Sequence, residues 1–181
     1  MKKNITVFCG SGIGASPAYE AAARELGAAI GREGRGLIFG GCAMGLMRAV
    51  SRAAAENGAR VLSLRITGMD DPFDADIIAE DRHYKNVQER KLALISESDA
   101  CIALPGGMGT LDEMTDLYSM TQLCETKTPL GLLNVNGYFD PLLKFFDHMR
   151  KEGFLSERYD SMFIVRDTVP ELLKALDETG N

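Results

Sequence analysis

Short apolar runs alternate with longer stretches of helical periodicity along the chain. Six runs, rich in Val, Ile, Leu, Phe and Ala, have the length of buried strands. They cover residues 5–9, 37–39, 61–66, 100–104, 130–135 and 163–165. Helix-start signals such as Ser16-Pro17 and the glycine stop at Gly58 delimit the segments between them. The predicted helices cover residues 17–31, 45–57, 87–96, 110–123, about 140–153 and the segment that follows Thr168.

This alternation of strands and helices predicts right-handed βαβ units, and hence a parallel sheet with helices on both faces. No internal repeat and no linker rich in Pro, Gly or Ser interrupts the pattern. We therefore predict one doubly wound α/β domain over residues 1–181. Residues 67–85 do not fit, because they are polar and acidic and because Asp70-Asp71-Pro72 would break a helix. We expect an irregular connection there, of a length that is often functional or mobile.

Three glycine-rich turns follow predicted strands, at residues 10–14, 40–45 and 106–109. Since the carboxyl ends of parallel strands meet at one edge of a sheet, we expect the three turns to lie together there, where such folds bind ligands. The first turn fits the dinucleotide pattern GxGxxA, and it is either a tight turn that needs positive φ or a loop that faces a phosphate. A nicotinamide-dependent enzyme is disfavoured, because the second strand ends at Phe39 without an acid to hold a ribose.

The third turn opens directly into a helix, through Gly106, Gly107, Met108, Gly109 and Thr110. Unpaired N–H groups and the helix dipole favour an anion there, most simply a phosphate. It is not a Walker loop, because no Lys-Ser/Thr pair follows the glycines.

Two charged groups near this turn leave alternatives open. Thr110 and Glu113 have capping-box spacing, as do Thr168 and Glu171 at the last predicted helix. Glu113 is thus either a capping residue or, because it follows a glycine loop and a buried strand, a carboxylate placed for work on a sugar phosphate. Arg90-Lys91 is either a solvated face or the local cation that an anion requires.

Composition narrows the choice of partner and compartment. The 181 residues carry 20 Lys and Arg against 26 Asp and Glu, a net charge of −6, which argues against a nucleic-acid binder. No apolar run approaches the roughly 20 residues that cross a bilayer, and the N-terminal one is too short for a signal peptide. The four cysteines lack CxxC spacing, and His83 and His148 lie far apart in sequence, so we expect no metal site. A reduced, cytoplasmic protein is the expectation.

Several motifs together resemble one family. Residues 105–113, PGGMGTLDE, match the PGGxGTxxE motif of the LOG ("lonely guy") family, the cytokinin riboside 5′-monophosphate phosphoribohydrolases. Arg90-Lys91 matches the family's upstream Arg-Lys pair. Residues 8–11, 39–47 and 132–138 resemble its FCGSS, YGGGxxGLM and LLNVxGYY segments, so the likeness runs from about residue 4 to 155.

The resemblance implies a Rossmann-like nucleotide-binding domain, usually a homodimer with sites near the subunit interface. The implied reaction is hydrolysis of the N-glycosidic bond of a nucleoside 5′-monophosphate, such as AMP or a cytokinin riboside monophosphate, to free base and ribose 5-phosphate. The family's catalytic pair falls on Arg90 and Glu113, and its phosphate loop on residues 106–110. No metal or organic cofactor is required. The other expected substrate-binding residues are Gly10, Ser11, Gly41, Gly45, Lys91 and Asp112.

The chain departs from the family's pattern at Cys42, Arg48, residues 86–89, residues 119–120 and the acidic segment 67–85. We expect these positions to shape the base pocket. Many relatives carry the older label "lysine decarboxylase", but nothing in this sequence indicates a pyridoxal phosphate site. The rival to an enzyme is a non-catalytic carrier of a nucleotide or of molybdenum cofactor on the same fold.

Overall fold

The computed structural model describes residues 3–155 and 163–179, over which seven strands and six α-helices alternate. The strands are β1 (Asn4–Phe8), β2 (Gly36–Phe39), β3 (Val61–Ile66), β4 (Glu80–Tyr84), β5 (Ala100–Ala103), β6 (Leu130–Leu133) and β7 (Phe163–Arg166). The helices are α1 (Pro17–Arg32), α2 (Gly45–Glu56), α3 (Val87–Ser96), α4 (Met108–Gln122), α5 (Asp140–Lys151) and α6 (Val169–Glu178).

All seven strands are parallel and follow the order β4-β3-β2-β1-β5-β6-β7. The chain therefore moves outward in one direction from β1, returns to the centre and continues in the other, so the predicted doubly wound, Rossmann-like fold is confirmed. The direction reverses between β1 and β5, which is the switch point where open α/β sheets bind ligands.

Alternation along the strands creates two cores. Ile5 and Val7 of β1 face one cluster with Leu26 of α1, whereas Phe8 faces the other with Leu117 of α4. Helices α1, α2 and α6 accordingly cover one face of the sheet, and α3, α4 and α5 cover the other. In the described part of the chain, no helix is both long and apolar enough to cross a bilayer.

The prediction of an irregular connection over residues 67–85 is wrong for the second half of that segment. Residues 75–77 form a 3₁₀ turn, and β4 pairs in parallel with β3 from Leu62–Glu80 to Ile66–Tyr84. The strand is polar because it lies at the edge of the sheet, where charged side chains reach solvent and each other. Arg82, for example, pairs with Glu80 and Glu97. Backbone pairing stabilises such a strand without the apolar pattern that reveals a central one.

Candidate active site

The three glycine turns meet at the switch point between β1 and β5. The N–H of Gly10 donates to the carbonyl of Pro105 at 3.1 Å, and the N–H of Leu46 donates to the carbonyl of Gly10 at 3.1 Å. Gly45 has a φ of +53°, and a Cβ there would overlap the backbone of Ser11. The turns after β1, β2 and β5 therefore form one continuous wall, as their positions in the sequence predict.

Glycine is required in this wall because main chains approach closely. A Cβ at Gly106 would overlap the side chain of Thr110 and lie 2.8 Å from the amide nitrogen of Gly10. Gly41 has a φ of +84°, and a Cβ there would overlap the side chains of Ser63 and Arg65. Both glycines thus shape the site through the backbone path, which leaves amide groups at its surface.

The N-terminus of α4 faces the cleft without a side-chain cap. Gly107 is the N-cap residue and α4 begins at Met108, so the capping-box interpretation of Thr110 is wrong: Thr110 lies inside the first turn. The amide N–H groups of Met108, Gly109 and Thr110 are ones that a helix cannot satisfy internally. Together with the helix dipole they form a site suited to a phosphate.

Glu113 lies one turn further along α4, with only 7% of its surface exposed. Its Oε1 accepts a hydrogen bond from Nη2 of Arg90 at 2.9 Å. Burial raises the pKa of the Glu113 carboxyl to about 7, although the nearby charge of Arg90 opposes this shift. The carboxyl can therefore change its protonation state near neutral pH, as a group that accepts or donates a proton in catalysis must do.

Arg90 connects this carboxyl to the end of β2. Its Nη1 would lie 3.5 Å from a Cβ on Gly40. Its Nε is buried and has no hydrogen-bond partner among the residues that the structure describes. A buried donor without a partner is unfavourable, so Arg90 retains hydrogen-bonding capacity for a ligand.

These groups line an open cleft of about 430 Å³. Sequence motifs predicted eight of its lining residues, namely Gly10, Ser11, Arg90, Gly107, Met108, Gly109, Thr110 and Glu113. Gly41, Gly45 and Gly106 belong to the surrounding turns but are not among the lining residues. Three further lining residues, Cys42, Met69 and Asp71, belong to positions expected to shape the base pocket. The lining residues that the sequence did not single out are Cys9, Gly40, Met44 and Met47.

Comparison with known proteins decides the family. A family model described as "Possible lysine decarboxylase" matches residues 47–176. A protein of Oryza sativa subsp. japonica, "Probable cytokinin riboside 5′-monophosphate phosphoribohydrolase LOGL5", is 38% identical over 177 residues, which span 97% of this chain and 72% of the relative. "Cytokinin riboside 5′-monophosphate phosphoribohydrolase LOG3" of Arabidopsis thaliana is 37% identical over 97% of this chain and 82% of its own length. The chain belongs to the LOG family.

Solved structures share the fold of this LOG-family chain. A molybdenum cofactor carrier protein from Chlamydomonas reinhardtii superposes with a TM-score of 0.75 at 21% identity, covering 98% of both chains. The molybdenum cofactor binding protein of Rippkaea orientalis gives a TM-score of 0.72 at 22% identity, covering 98% of this chain and 96% of the other. At such low identities, the similarity describes the architecture alone.

The LOG-type Arg-Lys pair divides between two surfaces. Lys91 is buried, and its Nζ contacts Asp112 Oδ2 at 2.9 Å and Asp116 Oδ2 at 2.6 Å. Burial alone would lower the pKa of Lys91, but its bonds to Asp116 and Asp112 outweigh burial and raise it. Lys91 and Asp112 thus face each other between α3 and α4, outside the lining of the cleft. No arrangement of three His, Cys, Asp or Glu side chains in residues 3–155 and 163–179 could hold a metal ion.

Proposed function

We propose that this LOG-family chain hydrolyses the N-glycosidic bond of nucleoside 5′-monophosphates to free base and ribose 5-phosphate. The observation that carries the proposal is the ion pair between the half-buried Arg90 of α3 and the buried Glu113, which lies one helical turn beyond the uncapped N-terminus of α4. The names of the plant relatives, at 37–38% identity over 97% of this chain, support the same reaction.

The geometry suggests how the substrate is oriented. The 5′-phosphate binds the amides of Met108, Gly109 and Thr110, and the ribose extends along the cleft to Glu113. This arrangement fixes the anomeric carbon beside the carboxylate and removes much of the entropic barrier to reaction. A nucleoside without its phosphate lacks this anchor, so we expect adenosine to be a far poorer substrate than AMP.

Glu113 and Arg90 act on charge that develops as the bond breaks. Loss of the base leaves an oxocarbenium-like ribose, which the ionised Glu113 stabilises or supplies with hydroxide by accepting a proton from water. Arg90 carries positive charge that holds the phosphate or the departing anionic base. A pKa of about 7 for Glu113 leaves a substantial ionised fraction at neutral pH.

A panel of nucleotides tests the proposal directly. Purified protein is incubated with AMP, IMP, GMP, CMP, UMP and an N6-isopentenyl-AMP, and free base is separated by chromatography. We expect base and ribose 5-phosphate in equal amounts from at least one nucleotide, and much less from adenosine. A folded protein that releases base from none of them would falsify the proposal.

A molybdenum-cofactor or nucleotide carrier is the alternative, because the fold that this chain shares with solved carriers does not by itself separate a carrier from an enzyme. A carrier retains its ligand through purification and shows no turnover. Mass spectrometry of the denatured, freshly purified protein, combined with the nucleotide panel, separates the two functions.

We further propose that the protein is a cytoplasmic homodimer that binds neither nucleic acid nor membranes. All four cysteines are free, as in a reducing compartment, and the net charge of −6 disfavours polyanions.

The support for a homodimer is an exposed apolar surface. None of the residues of α5 is buried, and Phe145 on this helix and the following Phe154 are 52% and 87% exposed. Apolar exposure of this kind is typical of a surface that pairs with a second copy. Light scattering on the purified chain, which is 19.7 kDa as a monomer, tests this state.

A further inference from the structure

The connection after β3 is held firmly against the second glycine turn. The carbonyl of Pro72 accepts a hydrogen bond from the N–H of Ala43 at 2.6 Å. The guanidinium carbon of Arg65 lies 4.4 Å from the centre of the Phe73 ring. At the other end of the connection, the N–H of Thr67 donates to the carbonyl of Tyr84 at 2.9 Å. Residues 69–71 are therefore fixed between two anchored ends.

Arg48 and the acidic segment 67–85 both depart from the LOG pattern, and they contact each other where this connection is held against α2. Arg48 Nε lies 3.0 Å from Asp74 Oδ2, and Arg52 Nε lies 2.8 Å from the same oxygen. The two arginines lower the pKa of Asp74, through a hydrogen bond from Arg52 first, so this carboxyl stays ionised. α2 thereby holds the acidic connection in place, which positions Met69 and Asp71 in the lining of the cleft.

The order of the strands places this connection at the end of the cleft opposite the phosphate site. The turns that line the cleft follow β5, β1, β2 and β3, which are successive neighbours in the sheet. The connection follows β3 and contacts the turn after β2, so two to three strand spacings, roughly 10–14 Å, separate it from β5, which is comparable to the extent of a nucleoside monophosphate. With its phosphate on α4 and its anomeric carbon beside the paired Glu113 and Arg90, a bound nucleotide directs its base toward Met69 and Asp71.

The side chains at this end suit a purine that carries a hydrogen-bond donor. Met44, Met47 and Met69 line the cleft and supply adaptable apolar surface for the faces of a base. An ionised carboxylate only accepts hydrogen bonds, so Asp71 attracts an amino group and repels a carbonyl oxygen. Resting on the function proposed above, we propose that Asp71 determines base specificity by accepting a hydrogen bond from the 6-amino group of an adenine-type base.

This assignment has a consequence for substituted bases. A single N–H is sufficient for the bond to Asp71, so an adenine with one N6 substituent keeps it. An N6,N6-dimethyladenine has no N–H and loses the bond, and hypoxanthine presents an oxygen in its place. AMP and N6-monosubstituted AMP are therefore preferred over N6,N6-dimethyl-AMP and IMP.

The test compares wild type with Asp71→Asn, using kcat/KM for AMP and for IMP. An amide can donate to the oxygen of hypoxanthine, so the AMP/IMP preference should fall roughly tenfold or more, the scale of one good base contact. Asp70→Asn is the matched control, because it removes the same charge one residue away and Asp70 is not among the cleft lining. It should leave the ratio at the wild-type value.

An unchanged AMP/IMP ratio in Asp71→Asn would overturn the assignment. If both nucleotides lost activity equally and the preference for AMP over 2′-deoxy-AMP was also lost, Asp71 would contact the ribose instead of the base. Calorimetric affinities of Asp71→Asn and wild type for AMP and IMP provide a readout without turnover. A wild type that binds AMP more tightly than IMP yet releases no base would contradict the proposed function while leaving this assignment standing.

Discussion

Arg90 Nη2 donates a hydrogen bond to Glu113 Oε1 at 2.9 Å and so joins α3 to α4 at the wall of the cleft. The carboxyl is nearly enclosed, whereas the cation keeps its Nε unpaired within the described residues. Burial favours the neutral form of Glu113 and Arg90 favours the ionised form, so the pair places the proton equilibrium near neutral pH.

Replacing Glu113 with Gln should abolish turnover and preserve binding. We expect kcat to fall by about 10²–10⁴-fold, the usual contribution of a proton-transferring group, with KM within a few-fold of wild type. Because Gly107 is the N-cap of α4, no capping loss should accompany the change. Steady-state kinetics and a thermal melt measure both effects.

The chain supplies a matched control for that variant. Glu171 has the same T-x-x-E spacing, and its Oε2 accepts a hydrogen bond from Thr168 Oγ1 at 2.7 Å at the start of α6. Glu171→Gln should leave kcat and KM unchanged. If folded Glu113→Gln retained wild-type kcat, the catalytic assignment would be lost and a structural role would remain.

Activity should rise with pH through about 7. The proposed reaction needs an ionised Glu113, whose pKa is raised to about 7 by burial first, against the opposing charge of Arg90. The logarithm of kcat/KM for AMP should increase with a slope of one below this value and level off above it. A profile that falls through the same range would instead mean that the protonated carboxyl is the active form.

Stability should have the opposite pH dependence. The pKa of Glu113 is higher in the folded chain, about 7, than its ordinary value of 4.5, so the folded state binds the proton more tightly. Its contribution to stability is fully present below about 4.5 and is lost as pH rises to about 7. The unfolding free energy of wild type minus that of Glu113→Gln should therefore decrease between pH 5 and pH 8 in urea titrations. A constant difference would show that burial does not shift this carboxyl.

Lys91 should act through Glu113 rather than on the substrate. It is paired with Asp112 and Asp116, and its charge favours the ionised form of Glu113. Lys91→Met should therefore move the acidic limb of the pH profile of kcat/KM to higher pH. The free energy of unfolding should fall by only about 1 kcal/mol, because the carboxylates of Asp112 and Asp116 are half exposed. Lys91→Arg, which keeps the charge and the pairing, should restore the limb. If Lys91→Met instead raised KM for AMP and left the acidic limb of the pH profile unchanged, Lys91 would bind the phosphate.

The order of residues along the chain predicts which glycine turns meet, but it does not predict which way the side chains of a helix point. Turns after parallel strands must share one sheet edge, so the meeting of Gly10, Gly45 and Gly106 could be anticipated. Arg90 and Lys91 are about 100° apart around α3, and in the structure Arg90 lines the cleft whereas Lys91 contacts Asp112 and Asp116. The family motif shows the pair but not which member turns inward.

The segment after β3 is predicted from the sequence to be irregular and to shape the base pocket, but its path could not be predicted. Its contacts are long-range: Asp74 meets two arginines of α2, and Pro72 meets the backbone of the second glycine turn. Neither contact follows a periodicity along the chain. The edge strand β4 could not be predicted for the same reason, because hydrogen bonds to the backbone of β3, and not an apolar face, hold it in the sheet. Met69 and Asp71 therefore enter the cleft through tertiary contacts that no local pattern encodes.

A side chain at position 45 should be tolerated less well than one at position 34, for both folding and activity. Gly34 and Gly45 have φ values of +68° and +53°, but a Cβ at Gly34 meets nothing within 4 Å, whereas one at Gly45 overlaps the backbone of Ser11 and Gly12. Gly34→Ala should cost about 1–2 kcal/mol, the strain of a left-handed conformation alone. Gly45→Ala should cost more in urea titrations and also reduce kcat/KM for AMP, because the first glycine turn must move away from α2. Equal losses in the two variants, with activity intact, would show that the turns are not in close contact.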